Sequence, residues 1–142
     1  MTDHDLDILA RTIYGEARGE FAKYGPSALI AVANVIINRW KRGGKYGKTI
    51  TEVCFKPKQF SCWDVNDPNR TLIQQEDLIK DPLFKISQTI AKKTVSGVWP
   101  DLTRESDHYH ATYCKPYWAK INKLRIRLGR HIFYKLDEGE LR

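Results

Sequence analysis

The run Ala28-Leu29-Ile30-Ala31-Val32-Ala33, continued by Val35-Ile36-Ile37, limits what this chain can fold into more than any other stretch. Its apolar residues cover every side of a helix, and a helix that is apolar all round has to be buried. Pro26 sets its start, through the preference for proline in the first turn, and the helix is expected to run through Trp40. The other elements must then pack around it. Asn34 and Asn38 lie one turn apart on the same helix, and buried amides need partners, so they are expected to tie down a loop. The run is far shorter than the roughly 20 apolar residues that span a bilayer, and no stable membrane insertion is expected.

Leu6, Leu9, Ala10, Ile13 and Ala17 recur at helical spacing and predict an amphipathic helix from Asp3 to Arg18. Thr2 and Asp5 form its capping box and Gly19 is the expected stop. Thr49 to Glu52 reads as a second capping box opening a short helix. Leu83, Ile86, Ile90, Ala91, Thr94 and Val95 give another amphipathic helix, ended by Gly97 and Pro100. Beyond Pro100 the period changes. Leu124, Ile126 and Leu128 alternate with Arg125 and Arg127, Gly129-Arg130 can turn the chain into His131-Ile132-Phe133-Tyr134, and His108 to Tyr113 reads as a third strand. Helices first and a small antiparallel sheet toward the C-terminus make an α+β protein, expected as one domain over residues 1–142.

The net charge of +7 implies an acidic partner: nucleic acid, anionic lipid or a wall polymer. Lys120, Lys123, Arg125, Arg127 and Arg130 make a basic strand region, but no nucleic-acid motif accompanies it, and nucleic acid is not the expected partner. Cys54, Cys62 and Cys114 are too few for a disulfide framework, and with no CxxC or HxxxH spacing neither a metal nor a cofactor is expected. Cys54 and Cys62 flank the turn-like Lys56-Pro57-Lys58 and are either two buried thiols or a bridge formed in an oxidising compartment. Asp64 to Asn69 lacks the sixth-position glycine of a calcium loop. The acidic Met1-Thr2-Asp3-His4-Asp5 leads straight into a helix and is not a secretory signal, so synthesis in the cytoplasm is expected.

Glu16 is the residue with chemistry in it. It lies seven positions beyond Leu9 and only about 20° from it around the helix, so its carboxyl points toward the apolar side. Near the end of the predicted helix the dipole also disfavours negative charge. Both effects raise a carboxyl pKa, as a general acid near neutral pH requires. The alternative is a Glu that bends out to solvent or pairs with Arg18. Glu20 follows one turn later, and paired carboxyls are the working parts of most glycosidases. The alternative for Glu20 is a pair with Lys23. Aromatic and polar residues cluster in Gln59-Phe60-Ser61-Cys62-Trp63, His108-Tyr109-His110 and Pro116-Tyr117-Trp118, which suits an extended, partly apolar ligand such as a glycan. Tyr14, Gln59, Phe60, Ser61, Trp63, Tyr109, His110 and Trp118 are the candidate groove residues; each ring taken singly is more often core.

Together these stretches resemble a known family. Leu9-Ala10-Arg11-Thr12-Ile13-Tyr14-Gly15-Glu16-Ala17-Arg18-Gly19-Glu20 and Ala33-Asn34-Val35-Ile36-Ile37-Asn38-Arg39 are similar to the spore-cortex-lytic cell-wall hydrolases of the SleB/CwlJ type. Val53 to Trp63 resembles the family's middle motif. Asp107-His108-Tyr109-His110, Pro116-Tyr117-Trp118-Ala119 and Leu128 to Tyr134 resemble its closing motifs. The resemblance implies a lysozyme-like, lytic-transglycosylase-like catalytic domain that cuts the glycan strands of peptidoglycan between N-acetylmuramic acid (MurNAc) and N-acetylglucosamine (GlcNAc), with the catalytic glutamate at Glu16. The charge and the missing signal and wall-binding segments suggest a monomeric phage or prophage endolysin, reaching the wall after the membrane is permeabilised.

Overall fold

The computed structural model describes residues 1–57 and 59–136; Lys58 and the end of the expected domain, residues 137–142, lie outside the described residues. Helix α1 (Asp3–Tyr24) opens on the expected capping box: the Thr2 side chain accepts from the Asp5 N–H while the Asp5 carboxyl accepts from the Thr2 backbone. The helix does not stop at Gly19. It continues to Tyr24 and ends at Gly25, whose φ of 69° is open to glycine and whose N–H bonds the Phe21 carbonyl at 2.8 Å. A glycine inside a helix costs only about 1 kcal/mol, and the packing of Phe21 against the core carries α1 past it.

Helix α2 (Pro26–Arg42) is the predicted central helix, and two layers explain why it is apolar all round. Leu29, Val32, Ala33 and Ile36 enter the main core with Leu9, Ile13 and Ala17 of α1 and with Phe84, Ile90 and Ala91. Ala31 and Val35 turn the other way and lie under Phe133 of the sheet. Asn34 and Asn38 secure the loop that follows. Asn34 accepts from the Leu102 N–H at 3.1 Å, and Asn38 donates to Asp101 at 2.7 Å and to the Ser106 carbonyl at 2.9 Å.

Helix α3 (Ile50–Phe55) starts at the Thr49–Glu52 capping box. A single 3-10 turn, Ser61–Trp63, leads to α4 (Pro68–Ile73), and α5 (Pro82–Ser96) ends at Gly97 in the left-handed conformation. The sheet has the order β1-β3-β2, all antiparallel, from β1 (His108–Ala111), β2 (Ile126–Leu128) and β3 (His131–Tyr134). Helix α6 (Tyr117–Ile121) lies between β1 and β2. Helices α4 and α6 have no forerunner in the sequence reading, because segments that short show no periodicity. The strands are shorter than expected: β1 ends at Ala111, where the Cys114 N–H turns back to its carbonyl, and Leu124 is exposed ahead of β2. Cys54, Cys62 and Cys114 are free thiols, the first two buried, so the expected alternative of a Cys54–Cys62 bridge is not what this fold contains.

Candidate active site

Glu16 sits mid-helix on α1, two turns before its end, so the helix terminus contributes little to its ionisation, an effect confined to the last turn. Burial does the work instead. Its Oε1 accepts a hydrogen bond from the Tyr109 hydroxyl at 2.8 Å, and its Oε2 accepts from the Cys62 backbone N–H at 3.2 Å. Burial raises the carboxyl above its ordinary value, outweighing these two bonds, and the charge of Asp67 adds to the rise. The result is a carboxyl whose neutral form is favoured more than usual although it is bonded to two groups that favour its anion.

Gly15 makes that contact possible. A Cβ there would come within 2.8 Å of Cys62 Cβ and 3.2 Å of Ile73 Cγ2, so only glycine lets the Ser61–Trp63 turn seat on α1 and present its N–H to Glu16. The Glu16 side chain borders an open cleft of about 460 Å³, lined also by Tyr14, Gly15, Arg18, Gly19, Asn69 and Leu83. Tyr14 is buried except at this wall, and its hydroxyl donates to Asp81 at 2.7 Å.

The alternation of β1 sorts the expected aromatic residues into two groups. Tyr109 shares a face with its partner Phe133 and with His131, and this face packs toward α2 and Glu16. His108 and His110 point to the opposite face, with Tyr134. There His110 hydrogen-bonds the Tyr134 hydroxyl at 3.0 Å, and Trp118 packs on His108, His110 and Tyr134 with ring centroids 4.9, 5.8 and 5.2 Å apart. His110 and Trp118 therefore stand behind the sheet and not beside Glu16.

The middle motif is likewise divided. Phe60 is fully buried in the core, under the Arg39 guanidinium at 4.9 Å, and has no face left for a ligand. Gln59 accepts from Arg39 at 2.9 Å, and Trp63 donates to the Thr12 hydroxyl at 2.9 Å with its ring edge-on to Phe55. These three hold the turn in place, while Ser61 is exposed at its start. Glu20 is partly buried and acts on His131, whose charged form it favours against a larger opposing effect of burial. The acid that acts on Glu16 from outside is Asp67, which caps α4 by accepting from the Asn69 N–H at 2.8 Å.

Two residues of the frame stood in the motifs of the sequence without a role of their own. Arg39 is buried on α2, donates to the Asp107 carbonyl at 2.6 Å and so ties α2 to the start of β1. Asp107 is fully buried, yet its carboxyl stays below the usual range: burial pushes it up, and bonds from His108, the Leu136 N–H and Arg42 overcome that. Both root the strand that delivers Tyr109. Their signal was present, since an Arg on an all-apolar helix demands a partner.

A buried carboxyl raised above its ordinary value at the edge of an open cleft, on a helical body with a small sheet, is the arrangement a general acid requires. The chain belongs to the cell wall hydrolase family, whose sequence profile matches residues 25–134. It is thus a peptidoglycan-cleaving enzyme. The match begins after α1, so it does not reach Glu16, whose place in the site rests on the geometry above. The catalytic domain of the germination-specific lytic transglycosylase SleB from Bacillus anthracis superposes with a TM-score of 0.71 at 25% identity, covering 95% of this chain and 97% of that one. The catalytic domain of the Bacillus cereus SleB protein shares the fold, with a TM-score of 0.68 at 22% identity over 94% and 91% of the two chains. No curated protein sequence matches significantly.

Proposed function

We propose that this enzyme cleaves the MurNAc–GlcNAc bond of peptidoglycan as a lytic transglycosylase, with Glu16 as its one acid–base group. The observation that carries the reading is the raised Glu16 carboxyl, bonded to Tyr109 and Cys62 beside the cleft. Glu16 gives its proton to the glycosidic oxygen as the bond from that oxygen to the muramoyl C1 breaks. The muramoyl 6-hydroxyl then attacks C1, returns its proton to Glu16 and closes a 1,6-anhydro ring. Between the two steps the Tyr109 O–H and the Cys62 N–H stabilise the Glu16 carboxylate, so the donors that oppose its high pKa lower the cost of releasing the proton. The lytic transglycosylase activity of the B. anthracis domain supports the same assignment.

Mass spectrometry of the digested wall tests this. Anhydro-muramoyl ends, lighter by one water than hydrolytic products, are expected; reducing muramic ends would instead make the enzyme a two-carboxylate muramidase with Glu20 or Asp67 as partner. The net charge of +7 suits attachment to the anionic wall. We infer a monomeric, bacteriophage-type endolysin that meets the wall after membrane permeabilisation. Lysis of cells from inside only when a membrane-permeabilising protein is co-expressed checks that role.

A further inference from the structure

The cleft beside Glu16 holds a cation that the acid–base chemistry leaves unused. Arg18 projects from α1 into the same cleft, is exposed, and forms no ion pair among the described residues. Its guanidinium is nevertheless held in place. Nη2 donates to Asn69 Oδ1 at 2.7 Å, and Cζ lies 5.8 Å from the centroid of the Tyr14 ring. Asn69 is fixed in turn at the start of α4, where its N–H bonds Asp67. Asp81 is within electrostatic reach of Arg18, but it is committed to the Tyr14 hydroxyl and to capping α5 at the Leu83 N–H. Gly19 lines the cleft too, and beyond its own helix and its chain neighbours no atom lies within 4 Å of where a Cβ would sit.

We propose that Arg18, braced by Asn69 and Tyr14, is a carboxylate-binding subsite that takes the acidic group carried by the muramic acid residue of the glycan strand. The proposal rests on the reading of the enzyme as a glycan-strand cleaver. Muramic acid is the sugar of the alternating strand that bears an acid, on its lactyl ether; that carboxyl is free in stripped strands and amide-linked to a stem peptide with carboxylates of its own in intact ones. A guanidinium presents parallel N–H donors that match a planar carboxylate. Bracing lowers the ordering cost of the contact, which separates it from a mobile surface arginine. Glu16 and Arg18 line one cleft, so the subsite would set which sugar lies on which side of the acid and thereby which of the two alternating bonds is cut.

The test compares kcat/KM of the wild type, Arg18→Gln and Arg18→Lys on four soluble substrates. These are strands with stem peptides, amidase-stripped strands, and each of the two after carbodiimide coupling to methylamine, which neutralises the carboxylates. Amidation is expected to cost the wild type roughly 10-fold, mainly in KM, and Arg18→Gln less than about 2-fold, with Arg18→Lys between them. An effect that persists on stripped strands identifies the lactyl carboxyl; one confined to peptide-bearing strands identifies the stem peptide. Asn69→Ala, which releases the guanidinium, should show the same pattern at roughly 3-fold and keeps the test decisive if Arg18→Gln fails to fold. If the wild type is indifferent to amidation, or Arg18→Gln responds to it as strongly as the wild type, the subsite is overturned. Cleavage of none of the four by the wild type would instead remove the glycan-cleaving reading, and the subsite with it.

Discussion

Helix α1 carries two sheltered acids that ionise in opposite senses. Asp5, in its first turn, receives four hydrogen bonds: from the N–H and hydroxyl of Thr51 at 3.0 and 2.6 Å, and from those of Thr2 at 3.1 and 2.9 Å. Burial pushes its carboxyl upward, but the four donors together bring it down to about 2. Glu16 receives bonds from Tyr109 and Cys62, and there burial wins. Supply of donors relative to desolvation separates a carboxylate that locks two helices together from an acid that can give a proton away. Asp107, which has no exposed surface, follows Asp5 because it too is fully served by donors.

The contrast breaks first at Glu16. Glu16→Gln should lower turnover of peptidoglycan by about 10²–10⁴-fold, the usual contribution of a general acid, in a folded protein. Because the folded carboxyl titrates above its unfolded value of 4.5, folding retains a proton that the unfolded chain releases. The wild type therefore loses stability as pH rises from 4.5 through the folded value, and Glu16→Gln does not. Thermal melts across that range should show the variant gaining on the wild type; a gap opening the other way would place Glu16 with Asp5.

Asp5→Asn should leave kcat unaltered and cost about 2 kcal/mol of stability at neutral pH, from the loss of charge-assisted bonds to Thr51 and Thr2. Here the sign is reversed. The folded value lies below the unfolded one of 3.8, so the contribution is complete above 3.8 and disappears as pH falls through about 2. Urea midpoints of the two proteins should converge in strong acid and separate above it.

Tyr109→Phe sharpens the comparison by taking a donor from the side that has few. Removing a bond that favours the anion raises Glu16 further, so the alkaline limb of the kcat/KM profile should move to higher pH. The rate itself should fall about 3–10-fold, about 1 kcal/mol, as the anion loses support. A limb moving to lower pH would mean that Tyr109 serves the neutral acid. The smallest effect is expected at Glu20→Gln, within about 2-fold in kcat, because transglycosylation needs no second carboxylate. Losses at Glu20 matching those at Glu16 would point to a two-carboxylate hydrolase.

Much of this was legible in the residues. The buried course of α2, the capping boxes at Thr2 and Thr49, the helix ending at Gly97 and the late antiparallel sheet all appear as expected. The position of Glu16 on the apolar side of its helix was visible too, though for a partly mistaken reason: the helix end is farther away than Gly19 suggested, and burial, with Asp67 adding to it, raises the acid. The groove was less accessible. Aromatic clustering grouped Tyr109 with His110 and Trp118, but strand alternation sends the first to Glu16 and the others to the back of the sheet. Arg18 and Asn69, which line the cleft, lie 51 positions apart and show no common pattern in the chain.

By itself, then, the sequence determined the longer helices and the side of α1 on which Glu16 falls, since periodicity, caps and the side of a helix on which a residue falls depend on neighbours within a turn or two. Only the tertiary structure decided what that acid can do. The donors to Glu16 come from residues 46 and 93 positions away, and their arrival depends on a glycine gap at Gly15 and on the pleat of β1. A pKa is a property of what surrounds a group in space, and that surrounding forms only when the chain has closed on itself.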